Sequence, residues 1–413
     1  MTAHKQSRRT LAVFGVLCGL VLGPVTAQAE WDFEVGVEDR YFPQEAAYGE
    51  SDNAASVSGR VKFDQDWNDG ADLLDFEAFY RWSDEDDART RGDISDLAWI
   101  HVGDGWEFRG GVRTVFWGVT EFQHLVDIIN QADTVERNDG EARLGQPMLN
   151  LSMVSDLGII DVFALIGFRE RTFPGKDGRP RAPLVVDGDA ATYESGDEEK
   201  HVDFAMRWTR SLDAWELALS YFGGTSRDPV FNLRSADFQL VPYYPQIEQW
   251  GLEAQFTHEF WLWKLEAISR WGMEEGRYAA SVFGFEYTFE GVWDTVADLG
   301  LIAEYNWDER GDDATGYLNH DISLGTRWAL NDEASTDIVA GVIYDHETYE
   351  RVWTLEAHRR LGDSWKLNVE TLFFSSRKPP ESVAWLLEDV YRIYLLAPNS
   401  HDDYVQAELV YYF

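Results

Sequence analysis

The side chains best suited to bind a solute lie close together in the stretch FWGVTEFQHLVDIINQAD, residues 116–133. Carboxylate, imidazole and amide groups recur through this stretch, mostly three residues apart. They belong to Glu121, His124, Asp127, Asn130 and Gln131. Groups of these types hydrogen bond to hydroxylated molecules and pair with charged ones. The stretch is therefore the strongest candidate for a site that binds or filters solutes.

The apolar residues of the same stretch predict how it would be held. Phe122, Leu125, Val126 and Ile129 follow helical spacing, and Thr120 is placed to cap a short helix after Gly118. In a solvent-exposed loop such an apolar face would be left in contact with water. We therefore predict that residues 118–146 fold into an aqueous lumen as a constriction. The alternative is an outward loop that packs on its neighbours or on a second protomer.

A second set of chemically active residues is basic and lies upstream and downstream of this stretch. With one acid among them, these candidate pore-lining residues are Arg60, Lys62, Arg81, Glu107, Arg109, Arg113, Arg169, Arg171 and Arg207. Two interpretations are open. The bases form a ladder that guides anionic or polyhydroxylated solutes, because a low-dielectric wall focuses their field. Alternatively, they pair across strands with acids and only hold the wall together.

Covalent chemistry and metal binding have little support. Ser400, His401 and Asp402 are adjacent, and neighbouring side chains on a strand point to opposite faces, so they cannot form a catalytic triad. The motifs G-x-S-x-G, H-E-x-x-H and CxxC are absent from the sequence. The acidic stretches 84–87 and 308–313 do not fit EF-hand spacing. We predict no catalytic residue, no metal site and no cofactor.

The elements that must position these residues show alternation of apolar and polar side chains, which is typical of strands with one buried face. In residues 296–307, for example, Ala303, Tyr305 and Trp307 alternate with Glu304 and Asn306. Eighteen such segments occur, near residues 31–41, 54–64, 73–82, 94–102, 106–117, 147–154, 158–171, 200–210, 214–223, 247–258, 261–271, 278–289, 296–307, 317–329, 336–345, 351–360, 364–374 and 403–413. The fourth and sixth are the weakest, and loss of one hairpin would leave 16.

The connections between these segments fall into two classes. Short ones rich in Gly, Asp and Asn, such as Asn68-Asp69-Gly70, alternate with long ones at 118–146, 172–199, 224–246 and 375–402. Segments of about ten alternating residues, with short turns at one end and long loops at the other, are typical of transmembrane β-barrels. The sequence predicts an all-β antiparallel barrel of about 18 strands in one domain, 30–413, although length alone allows two domains.

The last strand carries a family resemblance. Val405, Ala407, Leu409, Tyr411 and Phe413 form one apolar face that closes on an aromatic residue. This pattern resembles the closing strand of Gram-negative outer-membrane β-barrels, in which the terminal Phe is recognised by the barrel assembly machinery. The resemblance implies that the strand carrying Phe413 pairs with the first strand and closes the barrel.

A narrower likeness lies in the candidate constriction. Trp117-Gly118 followed by Asp127-Ile128-Ile129-Asn130 resembles a motif of uncharacterised porin-like outer-membrane proteins. The chain as a whole resembles porins and substrate-specific channels, and alginate-export-type barrels more distantly. This implies lipid and lipopolysaccharide around the barrel, small solutes within it and homo-oligomers, since trimers are common among general porins.

Composition agrees with export and argues against some partners. Residues 1–29 have basic residues, an apolar core and an Ala27-Gln28-Ala29 cleavage signal, which predicts a secretory signal peptide. Cys18 lies inside this segment, so no disulfide is expected beyond it. The formal net charge of −39 opposes nucleic-acid binding, which needs clustered bases.

These observations predict a bacterial outer-membrane channel for passive diffusion of small hydrophilic, preferentially anionic, solutes. The rival classes are an outer-membrane hydrolase acting on lipid or peptide, and a structural barrel that docks a partner and conducts little. The last long loop, 375–402, contains Pro379-Pro380 and many apolar residues. It caps or plugs the pore, or it lies in the outer leaflet.

Overall fold

The computed structural model describes residues 29–273, 276–314, 316, 318–377 and 396–413. The predicted signal peptide therefore lies outside the described residues except for Ala29, which begins the first strand. Much of the last long loop, including Pro379-Pro380, also lies outside them. The described chain consists almost wholly of strands and their connections.

Twenty-one strands are present in the described residues, and 18 of them form a single sheet. The barrel strands are β1 Ala29–Tyr41, β2 Asn53–Trp67, β3 Asp72–Ser83, β4 Arg91–Val102, β5 Trp106–Arg113, β6 Gln146–Ser155, β7 Gly158–Ile166, β9 Val202–Leu212, β10 Trp215–Thr225, β13 Gln246–His258, β14 Trp261–Met273, β15 Gly276–Phe289, β16 Asp298–Asp308, β17 Asp321–Ala329, β18 Asp337–Asp345, β19 Arg351–Leu361, β20 Trp365–Ser375 and β21 Tyr404–Tyr412. Each of the 18 predicted segments corresponds to one of these strands.

The sheet closes on itself. Every barrel strand pairs antiparallel with its neighbour in sequence, and β21 returns to pair with β1 from Glu34↔Tyr412 to Tyr41↔Val405. Beyond the last strand, the Phe413 amide donates to the Phe33 carbonyl at 3.0 Å. Closure satisfies the backbone groups that an open edge would leave unpaired. The predicted all-β, closed antiparallel fold is confirmed.

The alternation of each strand separates an apolar outside from a polar inside. In β1, Val35 and Val37 are exposed on the outer surface, whereas Glu38 and Arg40 are buried inside. The same division holds around the barrel, where aromatic rings such as Trp250 are exposed on the outer face. A polar interior is compatible with a barrel of this size, which has room for water.

A β-bulge interrupts the pairing of β4 with β3. Glu77 of β3 pairs with Asp96, but the next residue, Ala78, pairs with Ile94, so Ser95 is the extra residue. The extra residue reverses the alternation, so that even-numbered Ile94 before the bulge and odd-numbered Leu97 after it are both exposed on the outer face. In the sequence, Leu97, Trp99 and His101 compete with Ala98, Ile100 and Val102 for the outer face. Beyond the bulge, Leu97 and Trp99 are exposed on the outside, whereas Ala98 is buried inside. Both weak strands are present, and the count is 18 rather than 16.

The connections sort as expected. At one end lie turns such as 68–71 and 103–105, and at the other lie the long connections, including 114–145 and 167–201. The latter end also carries a separate three-stranded sheet of β8 Thr192–Tyr193, β11 Val230–Arg234 and β12 Gln239–Tyr244. Among the described helices, none has the length and apolarity needed to cross a membrane.

Residues 114–145, the lumen loop, do not extend away from the barrel. Val126 and Ile129 of this loop are fully buried in a core that also contains Phe163, Phe222 and Ile268 from the inner faces of β7, β10 and β14. Buried apolar contact of this kind stabilises the loop inside the barrel. The loop thereby fills the part of the lumen next to β6–β15, and its later residues Asp133, Glu136 and Arg137 reach the opposite wall.

Candidate functional site

One carboxylate of the barrel wall fixes the start of the lumen loop. Glu266 of β14, whose side chain is fully buried, accepts the Val119 amide at 2.7 Å and the Thr120 amide at 3.0 Å. It also accepts the Thr120 hydroxyl at 2.6 Å and the Val126 amide at 3.2 Å. Four loop donors thus converge on one side chain, and hydrogen bonds to a charged acceptor are the stronger kind.

A second wall carboxylate carries the loop further across the lumen. Glu304 of β16 accepts the backbone amides of Glu121 at 2.8 Å and Phe122 at 3.1 Å. The Phe122 ring then rests on Gly325 and Gly341 of the facing strands, where an added Cβ would lie only 2.8 and 2.6 Å from ring carbons. Because the two glycines have no side chain, they leave the space that the Phe122 ring occupies.

The predicted short helix after Gly118 is wrong. The structure has no helix between β5 and β6. The Thr120 hydroxyl donates to Glu266 and to the Gln123 carbonyl instead of accepting a backbone amide, and the Val126 amide turns to the wall instead of to Phe122. Contacts with the wall replace the hydrogen bonds that a helix would make.

Three of the predicted constriction residues hold the loop's own shape. The Asn130 amide accepts the Val115 N–H at 2.8 Å and donates to two carbonyls, while Asp127 pairs with Arg143 at 2.8 Å. Gln131 is almost fully buried next to Ala132, whose amide it accepts. Burial raises the pKa of Asp127, although Arg143 opposes the shift. A direct role in filtering solutes stays a prediction for these three.

Glu121 and His124 have partners on the wall or in the loop. The Glu121 carboxylate lies 2.5 Å from the Arg327 guanidinium of β17. His124 lies between Glu141 and Glu266, with nitrogen–oxygen distances of 3.5 and 3.9 Å. Burial alone would lower the pKa of His124, but the two carboxylates raise it above its usual value. This favours a charged imidazole next to the loop's main anchor.

The second half of the lumen loop returns along the opposite wall. Asp133 pairs with Arg91 of β4 at 2.6 Å, and Glu136 pairs with Arg81 of β3 at 2.6 Å. Arg137 then reaches Glu356 of β19 at 2.5 Å. The loop is therefore fixed on both sides of the barrel and crosses its lumen.

Between the returning half of the loop and the wall of β1–β3 and β19–β21 lies the charged cavity. Its volume is about 530 Å³. The charged and aromatic residues that line it are Glu34, Glu38, Arg60, Lys62, Phe79, Arg81, Glu136, Arg137, Glu356, His358, Lys366, Glu370, Glu408 and Tyr412. Acids and bases are interspersed, so a solute here meets both signs of charge.

The structure brings each of the predicted basic residues next to a polar partner. Their contacts are Arg60 and Lys62 with Glu34 and Glu77, Arg81 with Glu38 and Glu136, Arg109 with Glu107 and Asn150, Arg113 with Asn150, Arg169 with Asp93, Arg171 with Asp228, and Arg207 with Glu253. Seven of the eight bases have a carboxylate partner in these contacts, and Arg113 has an amide. Arg60 and Lys62 line the charged cavity, whereas Arg169 and Arg171 lie beyond β7 at the long-loop end.

This pairing gives a way to separate the two interpretations of the basic residues. If Arg60 acts as one half of a pair, the double variant Arg60→Gln with Glu77→Gln should keep the ion selectivity of the wild type. The single variant Arg60→Gln should shift selectivity toward cations, because Glu34 and Glu77 then share only the charge of Lys62. Reversal potentials in a KCl gradient measure both. An equal cation shift in the two variants would instead support a ladder of independent bases.

The sequence analysis did not identify Glu266 and Glu304 as the residues that anchor the lumen loop. Alternation places both side chains in the lumen, but a single sequence does not reveal which loop residues reach them from more than 140 positions away. The same holds for Lys366, which alternation puts inside the barrel without showing that it lines a cavity.

At the long-loop end, above the charged cavity, one buried arginine joins several loop segments. Arg179 pairs with Asp402 at 2.9 Å, donates to the Gln44 carbonyl at 2.9 Å and lies 4.4 Å from the centre of the Phe42 ring. Residues 42–52, 174–181 and 396–403 form this cap. Ser400 to Asp402 thus precede β21 rather than lying on it, and Asp402 is bound to an arginine.

Comparison with known proteins gives matches of fold alone. No protein-family model and no curated protein matches the chain. Among solved structures, OpdK of Pseudomonas aeruginosa, determined with vanillate, overlaps with a TM-score of 0.49 at 9% identity, covering 93% of this chain and 98% of its own. A mutant of the Rh. blastica porin overlaps with a TM-score of 0.43 at 11% identity, covering 94% and 100%.

These overlaps concern the fold alone, and the chain's own geometry defines its architecture. Eighteen antiparallel strands close through β1 and β21, the outer face is apolar, the inner face is charged, and a long loop crosses the lumen. The chain therefore has the architecture of a porin-like β-barrel.

Proposed function

We propose that the protein is an outer-membrane channel through which small hydrophilic solutes diffuse passively. The observation that carries this proposal is the charged cavity beside the lumen loop, because a packed core would not tolerate so many ionised groups. Water and dissolved ions stabilise such groups. In a channel, the width left by an infolded loop and the charges beside it set selectivity.

The outer surface supports the location. A closed barrel leaves no unpaired backbone edge, and its exposed apolar band matches what lipid requires. We propose that lipopolysaccharide surrounds the long-loop end and that the short turns face the periplasm. The assembly machinery would recognise the strand that ends in Phe413. Residues 1–29 would direct export, and the barrels would form homo-oligomers as general porins do.

Planar-bilayer recording tests the channel directly. Refolded protein is expected to give discrete ohmic openings, while heat-unfolded protein and detergent alone give none. If solutes cross by diffusion, the current should rise almost linearly with salt concentration. A bilayer that stays sealed with correctly folded protein present would contradict the proposal and favour a barrel that docks a partner. Turnover of lipid or peptide substrates by the same preparation would favour an enzyme.

A further inference from the structure

Two cations face each other on neighbouring strands of the inner wall. Arg360 of β19 and Lys366 of β20 are direct cross-strand partners in the antiparallel ladder. Both have the parity of inward residues, because Arg360 lies on the same face of β19 as Glu356, and Lys366 lies on the same face of β20 as Glu370. The side chains of Glu356 and Glu370 line the charged cavity. Like charges placed directly opposite each other on a sheet are destabilising. The fold therefore gains nothing from this pair.

No acid compensates them within the described ranges. Neither Arg360 nor Lys366 lies within ion-pair distance of a carboxylate in the described part of the chain, whereas nearby Arg60 and Lys62 share two acids. The pair thus adds two positive charges beside a cavity whose other lining residues named above include six acids and four Arg or Lys residues.

The position of the pair relates it to the solute path. Lys366 lines the charged cavity, and both residues lie next to the short turn at 362–364. This places them at the mouth of the cavity on the short-turn side. Low-dielectric walls concentrate the field of such charges and raise the local concentration of oppositely charged solutes.

We infer that Arg360 and Lys366 form an oxyanion-binding station at the short-turn mouth of the charged cavity. It takes the carboxylate or phosphate group of a small solute, with the guanidinium supplying paired N–H donors and the ammonium a point charge. This inference rests on the proposed channel function. It names the solute class that the channel favours and the two residues that set this preference.

The decisive variant is Arg360→Gln with Lys366→Gln. In a KCl gradient, the chloride-to-potassium permeability ratio should fall at least about twofold, because the local potential that attracts anions is removed. Acetate and inorganic phosphate, added separately to the short-turn side, should reduce the chloride current of the wild type by competing for the station. The double variant should lose this effect. A response to only one of the two anions identifies which oxyanion the station accepts.

Arg359→Gln is the matched control. Arg359 is the adjacent residue at the same mouth, but it pairs with Asp332 at 2.9 Å and has the outward parity of its strand. The substitution Arg359→Gln should leave the permeability ratio and the effects of acetate and phosphate unchanged. A separate urea titration distinguishes a merely structural role, since relief of like-charge repulsion predicts that the double variant unfolds at no lower urea concentration than the wild type.

Two results would overturn the station. One is an unchanged permeability ratio in the double variant, and the other is an equal change in Arg359→Gln. Failure of the channel itself is a different result, because a wild-type barrel that does not conduct contradicts the proposed function. In that case calorimetric titration of inorganic phosphate into the detergent-solubilised barrel still tests the station, and absence of binding removes it.

Discussion

Replacing Glu266 with alanine is expected to release the start of the lumen loop and to give channels with larger and noisier currents. Four donors from Val119, Thr120 and Val126 lose their shared acceptor. A buried donor left unpaired costs about 1–3 kcal/mol, so even one lost bond shifts the loop equilibrium strongly. A change of about 3 kcal/mol alters the displaced fraction by about a hundredfold.

Substitutions of Glu266 should have graded effects on the loop. Glu266→Gln keeps one acceptor oxygen but presents an amide N–H₂ where a second acceptor is needed, so its effect should be intermediate. Single-channel recording measures the current, and hydrogen exchange of amides 119–126 measures loop release. The two readouts should change together if the loop limits the path.

Glu216→Ala is the matched control for this prediction. Glu216 is also an inward carboxylate, on β10, but among the described residues it makes no hydrogen bond or ion pair that holds the lumen loop. Its removal should leave current noise and exchange rates unchanged. If Glu266→Ala behaves like this control, then the apolar contacts of Val126 and Ile129 are sufficient to hold the loop, and the carboxylate is not its anchor.

The strands could be predicted from the sequence because their information is local. Alternation in 18 segments places every barrel strand, and turn composition places the two kinds of connection at opposite ends. The ambiguity of β4 is local too, because apolar residues occupy both faces of 97–102, with Trp99 exposed outside and Ala98 buried inside. A closed barrel follows because strands of this type leave no stable open edge in lipid.

The site was predicted only in part because its contacts are long-range. Spacing of residues 116–133 indicates a helix, but the carboxylates of Glu266 and Glu304 compete for the backbone amides and prevent it. The inward position of the loop was predicted from its apolar side chains. Its anchors depend on which wall it faces, and a single sequence does not contain that information in any short-range pattern.

Replacing Arg179 with alanine is expected to loosen the cap over the charged cavity. Arg179 joins the segments 42–52 and 396–403 through Asp402 and the Gln44 carbonyl, and it is almost fully buried. Removing one partner of a buried ion pair costs about 3–5 kcal/mol because the other charge remains unpaired. Added protease should cut the cap segments faster, and the channel should open more often if the cap restricts entry.

Lys176→Gln provides the control, since Lys176 lies in the same segment with its side chain largely exposed. It should change neither proteolysis nor open probability. The double variant Arg179→Ala with Asp402→Asn separates the unpaired charge from the lost contacts, and it should recover part of the cap's protection. Equal protease sensitivity of Arg179→Ala and the wild type would mean that apolar packing of Phe42 and Tyr404 holds the cap without the arginine.

The pH dependence of the Arg179→Ala variant follows from Asp402. Burial raises the pKa of Asp402 to about 6, although Arg179 acts to lower it, so loss of Arg179 raises this pKa further. Below that pKa the carboxyl is neutral and its burial costs little. The carboxyl of a released cap has the ordinary pKa near 3.8, so cap stability in the variant should fall as the pH rises from about 4. It should level off once the pH exceeds the raised pKa of Asp402, above which the cap holds an unpaired charge. Replacing Asp402 with asparagine in the same variant should remove this component, because no charge then develops at that position.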